Sequence, residues 1–132
     1  MPDHAPAPFD QGVFLVHLNR GRQLFQQRAY AEAAREFEQA GRMRPNDQTV
    51  LNFLGLTYFK QEEYREADRI YGRLIEDNPE SEVLHFNQGL VCFKLGALDR
   101  AEAAFLRTLE LNPENQKVNF YLAQVLKRAG KE

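Results

Sequence analysis

Apolar residues recur along the chain at steps of three and four, as in Leu51, Leu54, Tyr58 and again Ala67, Ile70, Tyr71, Leu74. That is the spacing of one helix face. Short polar or proline-bearing stretches interrupt it. The pattern predicts seven helices, over about 12–27, 30–43, 47–60, 63–76, 81–94, 97–110 and 115–129. One of them has no polar face: in LNFLGLTYFK, residues 51–60, the only charge is the final lysine. A membrane span needs about 20 apolar residues, so this helix is expected to bury one side and present the other.

The helices repeat in pairs. Pro45, Pro79 and Pro113 are 34 residues apart, and the same step links Gly21, Gly55 and Gly89, then Ala33, Ala67 and Ala101, then Phe37, Tyr71 and Phe105. Glycine inside a helix costs about 1 kcal/mol against alanine. Its recurrence therefore points to close approach of a partner helix, with the alanines as the matching bare spot and the aromatics as plugs between units. The prolines are expected to end each second helix. Polar residues after them, such as Asp47 and Ser81, can cap the next first helix.

A 34-residue helix–turn–helix period carrying these residues resembles the tetratricopeptide repeat family. The resemblance covers about residues 14–130. It implies an all-α, right-handed α-solenoid of three repeats (about 14–47, 48–81 and 82–115) and a terminal helix at about 115–130, together a domain over 11–132. Residues 1–10 are expected to be a flexible lead-in. The resemblance also implies that first helices line a concave groove and second helices form the outer surface. The early aromatic common in the family is replaced by His17, Leu51 and His85; the two histidines are expected to pack and bond locally, not to bind metal.

On this reading the groove-facing residues of the first repeat are Leu15, Leu18, Asn19, Arg22, Phe25 and Gln26. The second contributes Asn52, Phe53, Leu56, Phe59 and Lys60; the third contributes Val83, Phe86, Asn87, Leu90, Phe93 and Lys94. The last helix adds Phe120, Tyr121, Gln124, Lys127 and Arg128. Phe25, Phe59 and Phe93 form a ladder one repeat apart. Some family members hold the C-terminal carboxylate of heat-shock chaperones in a clamp of lysines, asparagines and an arginine. The corresponding positions here are Leu18, Arg22, Phe53, Val83 and Asn87, so that clamp is expected to be missing.

Charge is segregated in a way the net value of −2 conceals. No Asp or Glu occurs in 11–31, 48–61, 83–98 or 115–131, which hold the expected first helices, while Glu32, Glu36, Glu66, Asp68 and Glu102 fall on the second helices. A weakly basic, aromatic-lined groove favours a ligand with apolar anchors and acidic residues. The near-neutral total gives no pull toward nucleic acid, and no apolar run is long enough for membrane insertion.

Chemistry is sparse. There is no glycine-rich phosphate loop, no HExxH and no cysteine pair, and Cys92 falls on a packed face. No catalytic, cofactor or metal site is expected. MPDHAPAPFD lacks the apolar core of a signal peptide, which fits a cytoplasmic protein. The last helix matches the first half of a fourth repeat, with Gly130 aligned to Gly96. Its many apolar residues suit either a capping helix or a piece of a longer protein, the latter favoured. The expected function is a protein-interaction module. The alternatives are a self-assembly element, pairing through Val118, Leu122, Val125 and Ala129, and a docking arm of a larger enzyme or secretion-type complex.

Overall fold

A computed structural model describes the backbone of residues 8–131 and the side chains of residues 11–131. Seven helices occur among the described residues: α1 (Pro8–Gln26), α2 (Tyr30–Met43), α3 (Gln48–Lys60), α4 (Tyr64–Asp77), α5 (Glu82–Leu95), α6 (Leu98–Leu111) and α7 (Gln116–Arg128). No strand is present among those residues. The helices match the expected ones to within a residue or so, except that α1 starts at Pro8. Proline is tolerated at the first helical position because its missing N–H would have no partner there. The part of the expected lead-in over residues 1–7 lies outside the described residues.

Contacts divide the chain into two units, the first ending at Gln61 and the second starting at Glu62. The first holds α1–α3 and the second α4–α7. Each is built by stacking consecutive helices.

Helix starts follow the repeat. The Asp47 side chain accepts a hydrogen bond from the Val50 N–H at 3.0 Å, Ser81 from Leu84 at 3.3 Å and Asn115 from Val118 at 3.2 Å. These caps open α3, α5 and α7, each contributing about 1 kcal/mol. Pro45, Pro79 and Pro113 follow the ends of α2, α4 and α6, as expected.

The turn inside each repeat has a second signature. Arg28, Glu62, Gly96 and Gly130 all have positive φ, at 63°, 63°, 79° and 73°. They stand 34 residues apart. At three of these turns the next N–H reaches back across the helix end: Ala29 to the Leu24 carbonyl at 2.9 Å, Ala97 to Cys92 at 2.9 Å and Lys131 to Leu126 at 2.8 Å. That bond closes the last turn only if the intervening residue is left-handed.

The glycines inside first helices have a specific cause. A Cβ on Gly21 would lie 2.6 Å from the Phe37 ring, and one on Gly89 would lie 2.5 Å from Phe105. The ring therefore rests on bare backbone. The expected partner of the glycine was the alanine of the second helix. The atoms pressed against it belong to the aromatic plug, although Ala33 and Ala101 are also fully buried. Phe37 also stacks on Phe53 of α3, with centroids 5.0 Å apart and planes at 14°. Phe105 stacks likewise on Tyr121 of α7, at 6.1 Å and 24°.

The middle plug is Tyr71. Burial pushes its hydroxyl far above the usual phenol range, opposed by a hydrogen bond with Asn87. Around the plugs, Phe14, Leu18, Ala33, Ala40, Val50 and Leu54 fill the first core, and Cys92, Ala101, Val118 and Val125 the second.

Gly89→Ala should destabilise the chain by about 1–3 kcal/mol through overpacking. Gly72→Ala, in mid α4 with open space around it, should be neutral or gain up to about 1 kcal/mol. Equal melting temperatures for the two variants would contradict the close-approach argument. At the turns, Arg28→Gly should stabilise by about 0.5–1 kcal/mol, since left-handed strain of about 1–2 kcal/mol exceeds the added unfolded-state freedom of glycine. Gly96→Ala should do the reverse. Urea denaturation of both variants measures the difference.

Candidate functional site

The first-helix faces carry the expected binding residues, and the structure sorts them by what covers them. In the first unit, Leu15 is 49% exposed, and Asn19 and Arg22 are exposed beside it on α1. Leu18 is a correction: it is only 7% exposed and belongs to the core with Phe14, Val50 and Leu54. It lies one turn after Phe14, so both fall on the stripe packed into the first core with Ala33 and Phe37 of α2 and Val50 and Leu54 of α3. Phe25 is half-buried, edge-on to Tyr30 at 5.3 Å and to Phe53 at 5.9 Å. On α3, Asn52, Leu56 and Lys60 are exposed, Leu56 by 38%. Phe53 and Phe59 are half-buried. The Arg22 guanidinium lies over the Phe53 ring, 5.7 Å from its centroid. Val13 and Val16 are exposed apolar residues that the sequence reading left out; their signal was their place on the same helix, three residues apart.

In the second unit, Phe86, Leu90 and Phe93 are half-buried and lean on the core. Asn87 is taken up by Tyr71. Lys94 and Lys127 are exposed, and Gln124 is half-buried. The Arg128 guanidinium covers the Phe93 ring at 4.8 Å. Tyr121 is half-buried, edge-on to Phe86 at 5.7 Å. Phe120 is 61% exposed. Val83, at 63%, is exposed at the start of α5.

The expected self-association stripe is corrected in part. Val118 and Val125 are fully buried against α5 and α6 and have no surface to offer. Leu122 is partly buried on the same core, and Ala129 sits at the end of α7.

Acidic side chains are mostly engaged on second helices. Glu38 accepts from the Tyr58 hydroxyl at 2.6 Å, and Asp68 makes a bidentate pair with Arg100 at 2.8 and 2.9 Å. The first helices are not wholly free of acid, because α1 takes in Asp10 and α5 starts at Glu82. The Glu82 carboxylate accepts from the Asn112 and Asn115 amides at 2.8 Å each, which fixes it at the turn before α7.

The histidines bond locally: His17 Nδ1 lies 2.7 Å from Glu36 Oε1, and His85 Nε2 lies 2.8 Å from the Pro79 carbonyl oxygen. Cys92 is buried, and desolvation pushes its thiol up, away from the reactive thiolate. Among the described residues no three His, Cys, Asp or Glu side chains gather as metal ligands. No helix among them is long and apolar enough to cross a membrane. What these faces offer chemically is surface: exposed apolar side chains, exposed cations and edge-on rings.

Comparison with known proteins places this arrangement. The family model described as tetratricopeptide repeat matches residues 18–67 and 54–115. No curated protein matches the sequence. Among solved structures, MamA from AMB-1 is 26% identical with a TM-score of 0.83, over 89% of this chain and 64% of that one. MamA from MSR-1 is also 26% identical, with a TM-score of 0.84, over 89% and 68%. The chain thus spans about two thirds of the MamA structures it matches.

The first tetratricopeptide domain of Spaghetti (RPAP3), bound to the HSP90 peptide SRMEEVD, is 21% identical with a TM-score of 0.81, over 90% of this chain and 94% of that one. The second such domain of human RPAP3, in complex with the HSP70 peptide SGPTIEEVD, is 19% identical with a TM-score of 0.77, over 88% and 97%. At that identity the likeness is one of fold. With the family model covering most of the sequence and seven helices in the family's 34-residue register, the chain belongs to the tetratricopeptide repeat family.

Proposed function

We propose that the chain is a non-catalytic protein-interaction module whose first-helix faces take a peptide or helix with apolar anchors and acidic residues. The carrying observation is the company kept by the exposed apolar residues. Leu15, Leu56 and Phe120 stand on helices whose exposed charges, among the described side chains, are cationic: Arg22 beside the first, Lys60 beside the second, Lys127 beside the third. The peptides held by the RPAP3 domains are themselves acidic, each ending in EEVD.

The mode of holding differs from a carboxylate clamp. Of the five clamp positions, Leu18 is buried and Phe53 is stacked on Phe37; Val83 is apolar. Arg22 lies over Phe53 and Asn87 bonds with Tyr71. Magnitudes favour apolar anchoring. Full burial of an apolar side chain contributes about 1.5–3 kcal/mol, whereas an exposed ion pair contributes about 0–1 kcal/mol. The anchors set affinity, and the cations set rate and preference.

A second reading, self-association through α7, rests on Phe120, whose ring is the largest exposed apolar group of that helix. Sedimentation of the wild type and Phe120→Asp separates the two readings: a strict monomer at high concentration removes self-association.

For peptide binding, selection from a random displayed library should enrich sequences with an apolar residue next to Asp or Glu. Phe120→Ala should weaken a selected peptide roughly tenfold or more, as about 1.5 kcal/mol implies. Its exposed ring makes the structural cost small, unlike that of Phe93, which is packed on the core under Arg128. Lys94→Glu with Lys127→Glu should cost less and flatten the salt dependence. Enrichment of basic peptides, or loss of binding only on the charge swap, would reverse this ranking.

A further inference from the structure

The repeat puts His17 and His85 at equivalent positions, two periods apart, but their surroundings differ. In the first unit His17 meets the Glu36 carboxylate of α2 at 2.7 Å, both side chains mostly buried. In the second unit the counterpart of Glu36 is Ala104. A pocket of about 280 Å³ opens there, lined by His85, Gln88, Arg100, Ala103, Ala104 and Arg107. The neighbouring counterparts change with it: Arg100 replaces Glu32 and Arg107 replaces Gln39, while Arg20 and Arg35 give way to Gln88 and Ala103, so the cluster loses both glutamates and keeps two arginines. The frame that holds a glutamate carboxylate in the first unit lacks it in the second, and two arginines stand among its lining residues.

We propose that this pocket between α5 and α6 is a carboxylate-binding site that takes a glutamate side chain presented by a partner peptide. It is distinct from the face carrying Phe86, Leu90 and Phe93, because His85 and Gln88 fall on another side of the same helix. Arg107 is the principal donor. Its present partner, Glu110, is an exposed neighbour one turn along at 3.0 Å, and such pairs exchange readily. Arg100 is fixed by its bidentate bond to Asp68, which holds its fork as a rigid wall but offsets its charge. Gln88 adds a neutral amide donor. His85 uses Nε2 on the Pro79 carbonyl, leaving Nδ1 to donate when the ring is protonated. A planar guanidinium fork matches a planar carboxylate bidentately.

The test titrates N-acetylglutamate amide into the full chain and follows the His85 ring and Arg107 Nε–H signals by NMR. N-acetylglutamine amide serves as the uncharged counterpart and inorganic phosphate as the generic anion. A saturable shift with the glutamate compound, absent with the glutamine compound and absent at His17, is the expected result. Arg107→Ala should weaken it about tenfold. Ala104→Glu, which rebuilds the arrangement of the first unit without removing a cation, should abolish the response while raising the melting temperature. No saturable shift, an equal response to the glutamine compound, or phosphate binding as tight as the glutamate compound would each overturn the assignment. An Ala104→Glu chain that still responds would overturn the location. Failure here leaves the first-helix reading standing, since Phe120 and Lys127 lie outside the pocket.

Discussion

The contact that the rest of the structure depends on is an aromatic ring laid on bare helix backbone. Phe37 lies on Gly21 and Phe105 on Gly89, and each ring also stacks on a ring of the next first helix, Phe53 or Tyr121. One side chain thus fixes the spacing of three helices. Interiors are close-packed, so a single methyl group at the glycine has nowhere to go. The cost of helical glycine, about 1 kcal/mol, is offset by the approach it permits.

This arrangement explains why first helices are apolar most of the way round. One stripe packs into the core with the plug of its own repeat and the neighbouring first helix, and what remains faces outward. Phe14 and Leu18 belong to the packed stripe, with Phe37, Val50 and Leu54. Leu15 and Leu56 belong to the remainder. Many of the aromatic rings between them are partly committed: Phe25 to Tyr30 and Phe53, Phe93 to Arg128. On the proposed reading, recognition is left to a thinner set of side chains than the count of aromatics suggests, and the cations lying over rings are part of the wall.

Much of the fold was legible because it is written in local chemistry. Asp47 and Ser81 cap where their side chains allow, the prolines stop helices by driving the residue before them out of the helical conformation, and the 34-residue step marks the plugs. The site was less legible, and for a definite reason. On a helix such as α7, period alone gives Val118, Val125, Leu122 and Phe120 equal claim to the surface. Only the position of the neighbouring helices shows that the two valines are fully covered while Phe120 stands 61% exposed. Pairings between distant residues, such as Arg128 over Phe93 or Asp68 with Arg100, have no spacing signature either. The start of α1 at Pro8, inside the expected lead-in over 1–10, had no apolar period to mark it, although proline suits a first helical position.

Cys92 gives the molecule a built-in gauge. It is the one cysteine in the chain, and it is 1% exposed in the core shared by α5, α6 and α7. Its thiol is held in the protonated form by desolvation, so reagent reaches it only when those helices part. The first unit carries no thiol. The rate at which a thiol-directed reagent marks the chain therefore reports the opening of the second unit alone, in the regime where local openings are rarer than closings and faster than the chemistry. A protein whose stability is distributed over stacked neighbours thus has its own means of being read one half at a time.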